Sequence, residues 1–482
     1  MINTNNKLFN LIGSFSDAEI KEFKKLLASP LFTNGRNYHP LLNEILKIIN
    51  KKLSKFPATE LYNKLYPGKK YSSQTLKNRF SEMFGLCEDY LIYKNVYNDK
   101  TGTDRILLQY YLDTRLFKLF DSKYEKSRKY VEVMPDNDDK FKNLAFLNKI
   151  NLNLLNKKNK IHKMYRQFYD NSIYNTCLFL IELFQMGIEF KLMEYDNVKH
   201  EFNLVLEIIS KLELEDIIKS TKRNSSVITK VMSMYYYLYK AFENPEDEKS
   251  YFESKRIFEE NISFFSKDYK DGFYQQMISY CIIRQNSGIR KFQLELFGLY
   301  NEKLEQGLYS EFKVNLFPVN TFRDFVFIGL AIKKYKWVED FIKKYSHELP
   351  EEIREDEVNL SNAKLHFSER HFEKAVNLLN KVKGGNYIHY NDTAVLKLCC
   401  YYELDRIEES YFQLDKFKHY LRNHKEIPKV HLNPVKNFIS VYQKIINLKS
   451  RPGKSDTGFL ENEIRSFNKI AKRGWLLNKI ID

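Results

Sequence analysis

Apolar residues recur along this chain at the spacing of a helix rather than in the strict alternation of a strand. Phe325, Ile328 and Ile332, for example, stand at positions i, i+3 and i+7, which share one face of an α-helix. Only 16 Gly and 11 Pro interrupt the 482 residues, so turn signals are sparse and strand patterns have little room. The pattern therefore predicts an all-α protein.

Between residues 320 and 420 the apolar positions repeat with a period of 35 residues. Five columns keep this register over three copies of the pattern: Phe325, Leu360 and Val395; Ile328, Ala363 and Leu398; Ile332, Phe367 and Tyr402; Trp337, Phe372 and Ile407; and Phe341, Val376 and Tyr411. The first three columns belong to one helix and the last two to the helix that follows it. Such a register predicts paired helices that stack on their neighbours as an α-solenoid.

The second copy has a composition that can be compared with a known repeat family. In "NLSNAKLHFSERHFEKAVNLLNKV", residues 359–382, the small Ala363 and Ala375 alternate with the large Phe372 and Leu379. This segment resembles a tetratricopeptide repeat, whose unit is a helix–turn–helix of about 34 residues. The resemblance implies a TPR-like array over residues 320–420 with a concave surface for a protein or peptide partner.

The two flanking copies depart from the family pattern at the positions of the small residues. The first copy places Ile328 and Asp340 there, and the third copy places Leu398 and Ser410. We therefore describe the array as TPR-like.

Breaks in the apolar pattern divide the chain into three segments. We predict a basic N-terminal helical domain at 1–100, a middle region of helical hairpins at 101–250, and the TPR-like solenoid with C-terminal capping helices at 251–482. Further predictions are helices at 105–120, 251–265, 273–284 and 289–305, breaks at Lys267–Gly272 and Asn286–Gly288, a helix after Pro434, and a last helix whose Trp475 covers the open end of the array.

The N-terminal segment carries 16 Lys and Arg against 9 Asp and Glu. Ser16 and Glu19 form a capping-box pattern at the start of a helix. Residues 58–91 resemble a helix–turn–helix in outline, although the insert between the helices is long and no wing hairpin follows. The resemblance implies nucleic-acid contacts from Lys69, Lys70, Lys77 and Arg79. The alternative is a compact helical domain with a solvated basic face.

A second basic stretch, "NKKNKIHKMYRQFYDN" at residues 156–171, mixes cations with aromatic residues. The cations are Lys157, Lys158, Lys160, Lys163 and Arg166, and the aromatics are Tyr165, Phe168 and Tyr169. This mixture can neutralise phosphates and stack on bases, which makes these five cations candidate nucleic-acid contacts. The alternative is a packed apolar stripe beside a charged face.

Net charge and cysteine usage restrict the partners and the cellular compartment that we expect for the protein. The charge of +16, with a pI near 9.2, favours encounters with nucleic acid, acidic proteins or anionic membrane surfaces. The five cysteines are scattered, with no Cys-x-x-Cys, as expected in a reducing cytosol. The first residues lack the pattern of a signal peptide, and no apolar run reaches the length of a membrane span. We therefore predict a cytoplasmic protein without a membrane span.

The sequence offers no complete motif for catalysis or metal binding. Gly453-Lys454-Ser455 resembles the end of a phosphate loop, but Leu448 stands where the loop's first Gly belongs. His366 and His371 are five residues apart, a spacing that turns two side chains to different faces of one helix. We therefore expect no enzyme activity, no cofactor and no metal.

Three functional hypotheses follow from these observations. The first is a non-enzymatic scaffold that binds a protein or peptide in the solenoid groove. The second is a nucleic-acid-binding regulator that uses the basic N-terminal domain. The third is an enzyme whose site is assembled from dispersed polar residues. No sequence motif supports this third hypothesis.

Overall fold

The fold was described from a computed structural model of the chain. The structure describes residues 2–195, 203–221, 226–286, 289–309, 316–383, 387–450 and 457–481. Of the described residues, 81% are helical, and they form 25 α-helices and two strands of two residues each. The prediction of an all-α, solenoid-like fold is confirmed. None of the helices in these ranges combines the length and the apolar character needed to cross a membrane.

The chain forms two compact units, Met1–Leu178 and Phe179–Asp482. The boundary falls inside one long helix, Ile161–Tyr195. The division into three segments made from the sequence stays a prediction.

The first unit begins with helices that form a small core of their own. Its elements are β1 (Ile2–Asn3), α1 (Lys7–Gly13), α2 (Asp17–Leu27), α3 (Pro30–Thr33), α4 (His39–Asn50), β2 (Lys55–Phe56), α5 (Ala58–Leu65), α6 (Ser73–Asn98), α7 (Lys100–Asp113), α8 (Phe117–Glu132), α9 (Asp138–Lys157) and α10 (Ile161–Tyr195). β1 and β2 pair antiparallel, with Ile2 opposite Phe56. The predicted capping box of Ser16 and Glu19 is present at the start of α2.

The single helix predicted for residues 105–120 is wrong. The structure has two helices there, α7 and α8, separated by a turn in which Arg115 adopts a left-handed φ of 59°. Glycine is the residue that usually occupies this conformation, and no glycine marks the turn. α7, α8 and α9 then pack together around a buried cluster that includes Leu108, Phe120 and Ile150.

The second unit continues as a series of helices that pack on their sequence neighbours. Its helices are α11 (Leu204–Lys211), α12 (Leu214–Thr221), α13 (Val227–Glu243), α14 (Glu248–Asn261), α15 (Lys267–Asn286), α16 (Lys291–Glu305), α17 (Val319–Ala331), α18 (Tyr335–Tyr345), α19 (Glu351–Ser368), α20 (Phe372–Leu379), α21 (Tyr387–Glu403), α22 (Ile407–Asn423), α23 (Lys429–Ser450), α24 (Thr457–Ser466) and α25 (Arg473–Ile481). Single 3-10 turns follow α14 and α18.

From α17 to α23 the helices alternate between two roles. The first helix of each pair (α17, α19, α21, α23) contacts the first helix of the next pair, and a second helix (α18, α20, α22) lies between them in sequence. Ala363 of α19 and Ala375 of α20 are fully buried where these two helices meet. The adjacent Cys399 and Cys400 belong to two different buried clusters, so both are core residues.

The spacing of 35 residues holds for only one of the two intervals between consecutive copies. The second helices begin at Tyr335, Phe372 and Ile407, which lie 37 and then 35 residues apart. The predicted alignment of the first copy is therefore displaced by two residues. In the correct alignment Val338, which is fully buried, takes the place of Ala375, whereas Asp340 is exposed.

Two helix boundaries differ from their predictions, and the predicted position of Trp475 is confirmed. Lys267–Gly272 is the first part of α15 and not a break. Pro434 lies inside α23 rather than before it. Trp475 of α25 donates a hydrogen bond from Nε1 to Glu403 Oε1 at 2.7 Å, and it packs against Tyr402 and Tyr442 at the end of the array, as predicted.

Candidate functional site

The first helices of the array line a cavity of about 660 Å³ in the second unit. On α17 the lining residues Arg323, Phe327 and Leu330 stand at i, i+4 and i+7, which is one face of that helix. α19, α21 and α23 add residues from the corresponding face, and the segment before α25 closes one side. The lining residues are Arg323, Phe327, Leu330, Ala331, Lys364, Ser368, Asn391, Asp392, Val395, Leu396, Val435, Ala471, Lys472, Arg473 and Gly474.

Positive charge dominates this cavity, which has four cationic side chains against one carboxylate. Lys364 Nζ lies 2.9 Å from Asp392 Oδ2, so the single acid is already paired. Burial alone would raise the pKa of Asp392, but the charge and hydrogen bond of Lys364, together with the charges of Arg323 and Lys472, outweigh burial and lower it. Arg473 is held in place by donating to the backbone carbonyls of Phe467 and Asn468.

A buried ion cluster fixes the position of Arg323. Its Nε donates to Glu357 Oε2 at 2.8 Å, and Nη2 lies 2.6 Å from the same oxygen. His389 Nε2 approaches that oxygen to 2.9 Å from α21. Burial would raise the pKa of Glu357, but the bonds from His389 and Arg323 lower it to about 2. The cluster ties α17, α19 and α21 together behind the cavity wall.

Lys472 brings a cation to the cavity from the C-terminal end of the array. It has a left-handed φ of 54°, and its Nζ lies 5.2 Å from the centre of the Phe367 ring. The side chain is exposed to the cavity, but desolvation by the surrounding protein, together with the charge of Lys364, lowers its pKa. A bound anion would favour the charged form of Lys472.

The rest of the wall is apolar, with one amide whose oxygen has no partner among the described residues. Phe327 is 66% exposed, and Leu330, Val395 and Leu396 lie beside it along the cavity. Asn391 is 6% exposed, and its side-chain oxygen accepts no hydrogen bond from any described residue. A buried amide oxygen without a partner costs free energy unless a ligand donates a hydrogen bond to it. The cavity therefore combines cations, which suit acidic side chains, with apolar surface and an acceptor oxygen, which suit the apolar side chains and the backbone N–H of a peptide.

The basic residues predicted in the first unit are distributed over two places. Lys69 and Lys70 are exposed in the turn between α5 and α6, and Lys77 is exposed in the first turns of α6. Arg79 is engaged within the fold, because it donates to Tyr66 Oη at 2.9 Å and pairs with Glu82 at 2.8 Å.

The second predicted stretch is split by the start of α10. Lys157 and Lys158 are held by groups of the preceding helices: Lys157 donates to the backbone carbonyl of Leu112, and Lys158 pairs with Asp121. Lys160, Lys163 and Arg166 are exposed and form no side-chain ion pair within the described chain. Of the five cations in this stretch, these three remain open to a ligand.

The aromatic residues of the same stretch lie in solvent and not in a packed stripe. Tyr165, Phe168 and Tyr169 are 72%, 66% and 62% exposed. The opposite face of α10 packs on α9, where the Gln167 amide exchanges hydrogen bonds with Asn148 and Asn151. The alternative of a buried apolar stripe is wrong for these three rings.

His366 and His371 come together, contrary to the prediction from their spacing. α19 ends at Ser368 and α20 begins at Phe372, so the two residues do not share one helix. The turn between the helices places both imidazoles around the carboxylate of Glu369. Gly453-Lys454-Ser455 lies outside the described residues.

Sequence reasoning missed the cations of the cavity. Arg323, Lys364 and Lys472 are far apart along the chain, and no local motif connects them. The repeat pattern could have predicted that two of them are close, because Arg323 and Lys364 lie on the first helices of consecutive pairs, α17 and α19. No protein-family model matches the chain, and comparisons with curated proteins and with solved structures found no match.

Proposed function

We propose that this chain is a non-enzymatic scaffold whose TPR-like array holds an acidic segment of a protein partner in the basic cavity. One observation carries the proposal: a single face of consecutive first helices presents cations beside apolar surface in one concavity. The acidic side chains of the segment would meet Lys364 and Lys472. Its apolar side chains would meet Phe327 and Leu396.

Two features favour binding over catalysis at this cavity. The one carboxylate of the lining is paired with Lys364, so it is poorly placed to act as a base. The lining residues also include no Cys, His or Tyr, and the one hydroxyl among them, that of Ser368, donates to the backbone carbonyl of Lys364 at 2.9 Å. The features of the cavity that a ligand can use are therefore its positive charge and its concave shape.

The proposal can be tested with a fluorescein-labelled peptide of alternating Glu and Leu and with its Lys and Leu counterpart. Fluorescence anisotropy should show binding of the acidic peptide only. The double variant Lys364→Gln, Lys472→Gln should weaken it by about tenfold or more, since a hydrogen bond to a charged group contributes about 1.5–3 kcal/mol.

Lys374→Gln is the matched control for this experiment, because Lys374 is an exposed lysine on the second helix α20. This variant should bind like the wild type. Equal weakening by Lys374→Gln and by the double variant would mean that only net charge matters, and it would contradict a site in the cavity.

A second candidate function rests on α10 of the first unit. Exposed aromatic rings at Tyr165, Phe168 and Tyr169 beside the free cations Lys163 and Arg166 suit the bases and phosphates of single-stranded nucleic acid. We keep a nucleic-acid-binding regulator as the alternative for this reason.

A labelled single-stranded oligonucleotide tests this alternative. Binding should fall steeply with salt, and it should fall in the variant Tyr165→Ala, Phe168→Ala, because each stacked base contributes about 1–3 kcal/mol. Tyr110→Ala, which removes a 58% exposed ring from α7, is the control. Binding that changes neither with salt nor on removal of the α10 rings would eliminate the alternative.

The variant Arg79→Gln is unsuitable as a test of nucleic-acid binding, since Arg79 supports the fold through its contacts with Tyr66 and Glu82.

A further inference from the structure

The turn between α19 and α20 gathers two imidazoles and a carboxylate, which we call the His–Glu–His cluster: His366, Glu369 and His371. His366 lies in the last turn of α19, Glu369 is the residue that follows this helix, and His371 precedes α20. Arg370 reverses the chain with a left-handed φ of 64°, and the His371 N–H donates to the His366 carbonyl at 2.8 Å. This turn brings residues five apart to one side.

The two distances from Glu369 to the imidazoles match those between the ligands of a tetrahedral metal ion. Glu369 Oε2 lies 3.3 Å from His366 Nδ1 and 3.4 Å from His371 Nδ1. One potential ligand atom from each residue lies within 4.8 Å of the others. Zinc bonds of about 2.0–2.2 Å at tetrahedral angles place neighbouring ligand atoms about 3.3–3.5 Å apart. Both separations from Glu369 Oε2 are therefore compatible with the ligands of one coordinated ion.

The side chains are also accessible to an ion from solvent. The exposed fractions are 28% for His366, 30% for Glu369 and 53% for His371. Two imidazoles and one carboxylate suit zinc and related transition metals, whereas calcium and magnesium prefer oxygen ligands alone. Three protein ligands would leave a coordination position for water or for a group of a partner.

The neighbouring turns show that the cluster is not needed to form the turn. Lys333 and Asp405 adopt the same left-handed conformation as Arg370, and the backbone bonds around them are the same. The positions that correspond to the cluster are Gly329, Ile332 and Lys334 in the first turn, and Tyr401, Leu404 and Arg406 in the third. Neither set can hold a metal, yet both turns have the same geometry.

We propose that the His–Glu–His cluster binds one Zn²⁺ ion and joins the end of α19 to the start of α20. The ion is held by His366 Nδ1, a carboxylate oxygen of Glu369 and His371 Nδ1. It stabilises the hairpin whose Ser368 lines the basic cavity. The site stands independently of the proposed peptide binding.

The test uses the full chain without an affinity tag, titrated with ZnCl2 and separately with MgCl2 in a calorimeter. The wild type should take up one Zn²⁺ per chain and no Mg²⁺, and its melting temperature should rise with Zn²⁺, because binding to the folded state stabilises it. Glu369→Leu and His371→Arg should each weaken Zn²⁺ binding by more than about tenfold. These substitutions introduce the residue types found in the third turn, so the fold should tolerate them; circular dichroism checks this.

His424→Gln is the matched control, because His424 also lies at a helix end and contacts a carboxylate, that of Glu426. It should bind Zn²⁺ like the wild type. The proposal is overturned if the wild type takes up no Zn²⁺, or if Glu369→Leu and His371→Arg bind it as the wild type does. Equal loss in His424→Gln would overturn it as well, since the ion would then lie elsewhere.

Discussion

Glu357 shows at the scale of one residue how the basic cavity is built. Its carboxylate is fully buried, yet it stays charged because Arg323 and His389 both reach it. Isolated buried carboxylates become neutral, so these two contacts determine its state. The anion in turn fixes the guanidinium that forms part of the cavity wall.

Removing this anion should destabilise the second unit strongly. Glu357→Gln leaves the Arg323 guanidinium without its counter-ion, and breaking a buried pair costs about 3–5 kcal/mol. Glu373→Gln is the comparison, because Glu373 forms an exposed pair with Arg406 that contributes at most about 1 kcal/mol. Urea unfolding of both variants measures the difference. Equal losses would show that the buried cluster has no special role.

The same residue predicts a dependence on pH. The pKa of Glu357 is lowered to about 2 in the folded chain, whereas an unfolded Glu titrates near about 4.3. Its contribution to stability is therefore present above the unfolded pKa and is lost as the pH falls towards about 2. The stability difference between the wild type and Glu357→Gln should narrow over that range; a difference that widens as the pH falls would contradict this assignment.

Individual site residues were the least predictable part of the molecule. His366 and His371 would lie on different faces of a continuous helix, and only the left-handed turn at Arg370 brings them together. Lys472 enters the cavity from a segment that has no repeat pattern. Such contacts depend on the path of the chain between helices, which local spacing does not encode.

At the scale of helices, apolar periodicity predicted most elements but not every boundary. The break at Arg115 and the two-residue displacement of the first copy were both missed. In each case the turn is closed by a charged residue in the left-handed conformation rather than by glycine, so the usual end signal is absent. Helix faces were therefore easier to predict than helix ends.

Gly329 permits the closest approach of α17 and α18. A Cβ there would lie 2.5 Å from Val338 Cγ2 and 3.2 Å from the Trp337 ring, so Gly329→Ala should destabilise by about 1–3 kcal/mol through overpacking. Gly298→Ala in α16 is the control, since its Cβ would meet no atom within 4 Å. That change should stabilise by up to about 1 kcal/mol through helix propensity. Thermal unfolding distinguishes the two, and stabilisation by both would contradict the close approach.

At the scale of the whole chain, the function proposed for the array depends on consecutive helix pairs. Periodicity predicted the all-α fold and the presence of an array, because stacked pairs need matching apolar faces. It could not predict which polar residues the stacking brings together. The cavity arises because α17, α19, α21 and α23 present their first-helix faces to one space, with Lys472 added from the C-terminal segment.

The most direct measurement maps where an acidic peptide binds. A peptide of alternating Glu and Leu with one benzoyl-phenylalanine can be photo-crosslinked to the full chain and located by mass spectrometry. We expect crosslinks on the first helices, at residues such as Phe327, Val395 and Leu396, and their loss in the double variant Lys364→Gln, Lys472→Gln. Crosslinks confined to the second helices α18, α20 and α22, or to α10, would contradict the basic cavity as the binding site.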